Sequence, residues 1–186
     1  LTDVITVNVT VTAVNDAPMV TQGAGPLTVT MSEDGSPTAW SAPSLGATDA
    51  DTAAGSLTWS VSTAASNGTA TVSGTGASPS TFTYAPDANF SGSDNFVVQV
   101  SDGSLTDVIT VNVTVTGVSD APVVANAISD LSAAEDAADT TIALGNVFND
   151  VDDDNASITK AATSSNASLV TAAVNGNTLT LDYQAN

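Results

Sequence analysis

The chain has 186 residues, with 20 Asp and Glu against one basic residue, Lys160, for a net charge of −19, so nucleic acid and anionic membranes are disfavoured as electrostatic partners. Hydrophobic residues make up 42%, enough for packed cores rather than a disordered chain, and no run approaches the roughly 20 apolar residues that span a bilayer. Cysteine and histidine are absent, which excludes disulfides and the usual zinc sites and leaves oxygen as the ligand type for any metal.

The opening residues LTDVITVNVTVT place Ile5, Val7, Val9 and Val11 on one face and Thr6, Asn8, Thr10 and Thr12 on the other, the period-two pattern of a half-buried strand. Similar alternation predicts strands at Leu27, Val29 and Met31, around Trp40 in PTAWSA, at Leu57, Trp59 and Val61, at Ala70 and Val72, at Phe82 and Tyr84, and at Phe96, Val98 and Val100. The turn-forming clusters EDGSP, DADTAAG, SNG, GTGASP, PDANFSGSD and SDG separate them. At Leu105 the opening words return. LTDVITVNVTVTGVSDAPVV repeats LTDVITVNVTVTAVNDAPMV with changes only at Ala13/Gly117, Asn15/Ser119 and Met19/Val123, and an internal repeat of this kind marks a tandem array.

Seven short strands in about 100 residues predict an all-β, immunoglobulin-like Greek-key sandwich. Beyond Asp120 the logic repeats in other words. Glu135 and Asp136 stand where Glu33 and Asp34 stood, Asp150 and Asp152 where Asp49 and Asp51 stood, and TLTLDYQAN aligns with STFTYAPDAN. The expected organisation is therefore the last strand and linker of a preceding repeat at 1–16, a complete sandwich at 17–120, and at 121–186 a second sandwich without its last two strands. On this reading the chain is an excerpt from a longer array, and the absence of the segment matching Phe90 to Ser104 argues against polymerisation by simple donation of the opening strand.

If the strands run alternately up and down, parity sorts the loops between two poles. Asn15 and Asp16, Asp49 and Asp51, and Asp102 fall at one; Glu33 and Asp34, Asp87, and Ser119 and Asp120 fall at the other. Carboxylates crowded without Lys or Arg repel one another, and calcium accepts six to eight oxygens in flexible geometry where magnesium demands a near-ideal octahedron. Acidic loops can also be merely solvated; their gathering at the poles favours an ion. The candidate metal ligands are Asp16, Glu33, Asp34, Asp49, Asp51, Asp87, Asp102, Asp120, Glu135, Asp150, Asp152 and Asp154.

The linker words VNDAP and VSDAP resemble a loose form of the linker motif of cadherin-like repeats in large secreted bacterial surface proteins. TDAD (Thr48 to Asp51) and NDVDD (Asn149 to Asp153) resemble the DxD motif of that superfamily, and Glu33 its first-strand glutamate. Residues 121–186 look more like the dystroglycan-type variant. The linker departs from the cadherin pattern, because Asn15 and Ser119 are followed by one Asp and then Ala-Pro. The resemblance implies tandem immunoglobulin/cadherin-like sandwiches with calcium between successive domains. It further implies a non-catalytic, secreted spacer serving cell-surface or biofilm adhesion, whose partners are calcium ions, neighbouring repeats, and glycans or further copies of itself.

Other features weigh less. The Asn-x-Ser/Thr triplets at Asn8, Asn67, Asn89, Asn112, Asn155 and Asn166 are expected by chance in so Asn-, Ser- and Thr-rich a chain. Trp59 and Phe96 fall on inward faces, which leaves Trp40 as the one surface candidate for a sugar platform. Glu33 with Asp34 has the residue types of a glycosidase pair but no accompanying constellation. A carbohydrate-binding accessory module and a filament subunit joined through strand edges remain the rival readings.

Overall fold

The computed structural model describes residues 1–185, and the chain divides into two units, Leu1–Val118 and a second from Ser119 onward. In the first unit the strands are β1 (Met19–Val20), β2 (Leu27–Ser32), β3 (Ala47–Thr48), β4 (Thr58–Thr63), β5 (Gly68–Thr75), β6 (Thr81–Pro86), β7 (Gly92–Ser101) and β8 (Thr106–Thr116). They form one sheet in the order β2-β8-β7-β4-β5-β6, and β1 pairs separately with β3. The β7–β8 hairpin is its longest ladder, antiparallel from Gly92↔Val115 to Ser101↔Thr106. On one side β2 runs parallel to β8, Leu27↔Val111 to Ser32↔Thr116, and on the other β4 runs antiparallel to β7.

The alternation that predicts these strands also supplies the core. Phe96, Val98 and Val100 of β7 and Ile109, Val111, Val113 and Val115 of β8 are buried, packed with Met31, Leu57, Trp59, Val72 and Tyr84. Each large apolar side chain so buried contributes roughly 1.5–3 kcal/mol. Tyr84 stacks on Phe96 at 5.9 Å, and the buried Trp59 satisfies its indole N–H by donating to the Gly76 carbonyl at 2.8 Å.

One expectation changes. The segment around Trp40 is not a strand: Pro37 and Pro43 flank it and take two N–H donors from any ladder. Trp40 instead lies against β6, its indole N–H donating to the Phe82 carbonyl at 3.1 Å and its ring packed on Phe82 and Tyr84. It is half-buried and joined to the core, so it is no exposed sugar platform. The first copy of the repeated strand, residues 1–12, makes no pairing among the described residues, as expected of the last strand of a preceding repeat, with Ile5, Val7, Val9 and Val11 between 74% and 89% exposed, whereas Ile109, Val111, Val113 and Val115 in the identical second copy are at most 3% exposed. Strand formation depends on neighbours to pair with, and the described residues supply none to the first copy.

The second unit contains β9 (Val123–Val124), β10 (Thr140–Ala143), β11 (Phe148–Asn149), β12 (Val170–Asn175) and β13 (Thr178–Tyr183). Here β9 pairs with β11, and β10-β13-β12 form a sheet. The β12–β13 hairpin turns through Gly176 and Asn177, with Gly176 at φ 57°, the left-handed conformation that two-residue hairpin loops require. Its buried apolar residues are Leu144 and Val147.

Candidate functional site

At one end of the first unit, backbone N–H groups and carboxylates join segments far apart in sequence. The Asp16 N–H donates to Asp51 Oδ2 at 2.8 Å, and the Asp51 and Thr52 N–H groups both donate to Asp49 Oδ1 at 2.8 Å. The Asn15 amide donates to Asp102 Oδ2 at 2.7 Å, while Asp102 Oδ1 accepts the Ser104 and Leu105 N–H groups. These donors, Leu105 foremost, then Asn15 and Ser104, hold the Asp102 carboxyl below the usual carboxylate range. Asp49 Oδ2 is buried and has no hydrogen-bond partner. A buried carboxylate oxygen left without a donor is costly, and a cation is the partner that suits it.

The second unit repeats this construction. The Asp120 N–H donates to Asp152 Oδ2 at 2.6 Å, and the Asp152 and Asp153 N–H groups donate to Asp150 Oδ1 at 2.9 and 3.1 Å. Asp154 is turned to local use, its Oδ1 accepting from the Ala156 N–H. Glu135 lies at the edge of a hollow with Leu169 and Tyr183.

The remaining predicted residues are placed less tightly. Glu33 is half-buried beside the end of β8: its N–H donates to the Thr116 carbonyl at 3.1 Å, and its Oε1 accepts from the Val118 N–H at 2.6 Å. Asp34 and Asp87 are exposed. Asp87 contributes its backbone, accepting from the Phe90 N–H and donating to the Asn67 carbonyl. Among the described residues, no three acids converge into a set able to hold a metal ion. The lead-in loops are tied together, but their carboxylates are not drawn around one point.

Sequence reasoning overlooked two acids. Asp94 is 5% exposed and accepts four hydrogen bonds, from the Ser66, Asn67 and Asn95 N–H groups and from the Tyr84 hydroxyl at 2.9 Å. Burial opposes its ionisation, but the donors of Asn67, Ser66, Asn95 and Tyr84 overcome that and lower its pKa. Burial, then the bond to Asp94 and the charges of Asp94 and Asp87, push the Tyr84 phenol far up. The signal was in the parity: Asp94 shares the inward face with Phe96, Val98 and Val100, a position where a charge must be paired or hydrogen-bonded. Asp107 is the other, its Oδ2 accepting from the Val20 N–H at 2.8 Å and so tying β1 to the start of β8.

Comparison with known proteins adds a family. The profile of a family described as bacterial Ig domain matches residues 15–114. No curated protein matches the chain. Two solved structures of an endo-fucoidan hydrolase from glycoside hydrolase family 107 are similar at 19% identity, with TM-scores of 0.40 and 0.41. The similarity covers 91% of this chain and 24% of theirs, so the chain spans about a quarter of their length.

Proposed function

The chain belongs to the bacterial Ig domain family, and from that premise we propose that it is a non-catalytic spacer of a long, secreted, tandemly repeated adhesin or matrix protein, stiffened by calcium. The observation that carries this reading is the carboxylate construction at the start of each unit, Asp16–Asp51–Asp49 and Asp120–Asp152–Asp150, with Asp49 Oδ2 buried and partnerless. Asp16, Asp49, Asp51 and Asp102 would hold an ion in the first unit, and Asp120, Asp150 and Asp152 in the second. The donors are oxygens only, which suits calcium above transition metals.

Because the carboxylates are not gathered around one point in the structure, binding must draw the loops inward. The same binding energy that orders them stabilises the folded unit. Affinity on the order of 10⁻⁴ to 10⁻³ M follows the pattern of extracellular calcium modules. Without the ion, mutual repulsion leaves each lead-in segment a hinge; with it, the segment is fixed to its own repeat and an array of such repeats resists bending. Catalysis is not part of the reading; the Tyr84 hydroxyl donates to Asp94 inside the core. Isothermal titration with calcium tests the binding step: heats fitting millimolar or tighter sites support it, and the absence of saturable heat up to tens of millimolar refutes it.

A further inference from the structure

Asn-Gly occurs twice in the chain, at Asn67–Gly68 in the first unit and at Asn175–Gly176 in the second. The dipeptide carries chemistry of its own. An asparagine carboxamide carbon can reach the backbone nitrogen of the next residue and close a cyclic imide, and a following glycine, with no Cβ, puts nothing in the way and lets the backbone rotate into the ring. How firmly the fold holds the peptide between the two residues then decides whether the ring closes.

At Asn67 that peptide is clamped. The Asn67 N–H donates to Asp94 Oδ2 at 2.9 Å, and its carbonyl accepts from the Asp87 N–H at 2.9 Å and from the Tyr84 hydroxyl at 3.4 Å. Gly68 opens β5, is paired with Pro86 of β6, and lies so close to Tyr84 and Ala85 that a Cβ would stand 2.6 Å from an oxygen of each. Turning the Gly68 nitrogen toward the Asn67 side chain breaks these bonds and disturbs the buried pair of Asp94 and Tyr84.

Asn175–Gly176 is held far less. Asn175 is the exposed last residue of β12, and Gly176 and Asn177 form the turn into β13. Gly176 stands at φ 57° with nothing within 4 Å of the place a Cβ would take, and its N–H makes no hydrogen bond among the described residues. Only the closing pair Asn175↔Thr178 has to open for this peptide to rotate, and a hairpin tip opens locally without unfolding the rest.

We propose that Asn175 is a site of spontaneous covalent modification, deamidation through the cyclic imide, and that the fold protects Asn67 from the same reaction. The Gly176 nitrogen loses its proton to solvent hydroxide and bonds to Asn175 Cγ; the Cγ–Nδ2 bond breaks and that nitrogen leaves as ammonia. Water then opens the ring. Cleavage of the new bond to Cγ gives aspartate, and cleavage at the main-chain carbonyl gives isoaspartate, whose backbone runs through Cγ. The balance is one water consumed and one ammonia released, with no oxidant or reductant. Either product adds a carboxylate to a chain already at −19, and the iso form lengthens the backbone at a two-residue loop that sets the β12–β13 register. This inference is independent of calcium.

The test ages the full chain in mildly alkaline buffer, folded and, in parallel, in concentrated urea. Peptides containing residues 67 and 175 are followed by mass spectrometry, and an isoaspartyl methyltransferase marks the iso form. In the folded chain Asn175 is expected to convert at least about tenfold faster than Asn67, and in urea, where structural protection is gone, the two rates converge. N175Q removes the methyl-accepting signal from its peptide. Equal rates at the two sites in the folded chain, or an Asn175 that stays an amide while the urea-treated chain converts it, overturns the inference.

Discussion

The Asp16 N–H donates to the Asp51 carboxylate at 2.8 Å across 35 residues, and the same bond joins Asp120 to Asp152 in the second unit at 2.6 Å. In both, the second aspartate's own N–H is held by the aspartate two residues before it. Two units whose sequences differ widely thus fasten their lead-in segments by one device, a local correspondence that the words VNDAP and VSDAP foreshadow.

Substitution at this device is expected to act locally. D49A with D51A abolishes calcium-induced shifts in the amide spectrum of the first unit and leaves those of the second, and D150A with D152A does the reverse. Chemical-shift mapping during a calcium titration checks this. Loss of all calcium response from either pair contradicts the grouping of loops described above.

Asp94 gives a second expectation. Asp94→Asn replaces one acceptor oxygen by an amide that faces N–H donors, and charge-assisted hydrogen bonds of this kind contribute about 1.5–3 kcal/mol. Its carboxyl titrates lower in the folded chain than the unfolded value of about 3.9. The stabilisation is therefore full above that unfolded value and is lost as pH falls through the folded pKa. Urea denaturation at a series of pH values should show the gap between parent and D94N narrowing below about pH 4.

Gly68 gives a third. A Cβ there would lie 2.6 Å from both the Ala85 carbonyl oxygen and the Tyr84 hydroxyl oxygen. Neither can give way easily, one being backbone and the other bonded to Asp94. Gly68→Ala should destabilise the first unit by about 1–3 kcal/mol, as overpacking does, measured as a lowered denaturation midpoint. A midpoint equal to that of the parent would mean that the β5–β6 pair opens without cost.

Strand positions and inward faces were legible because alternation is a direct signature of a sheet with one buried side, and parity then grouped Asn15 and Asp16 with Asp51 and Asp102, which are hydrogen-bonded in the structure. Alternation failed where pairing decides. PTAWSA has the pattern but is flanked by prolines, and residues 2–12, word for word those of β8, show that alternation alone does not make a ladder without a neighbour to pair with. Asp94 is not legible from the loops, because it is a charge on an inward strand position whose donors, Ser66, Asn67 and Tyr84, come from other strands and turns. Gathering Asp34 and Asp87 with Glu33 went beyond what parity can give, since parity assigns a loop to an end and says nothing about where its side chains point.

If calcium stiffens the chain as proposed, small-angle X-ray scattering during a calcium titration will register it as a change in dimensions. Raising calcium from chelator conditions to several millimolar should lengthen the maximum dimension and narrow the distance distribution, with a midpoint on the order of 10⁻⁴ to 10⁻³ M, and D49A/D51A/D150A/D152A should hold the chain at its calcium-free profile. Scattering profiles that superimpose with and without calcium would contradict the account.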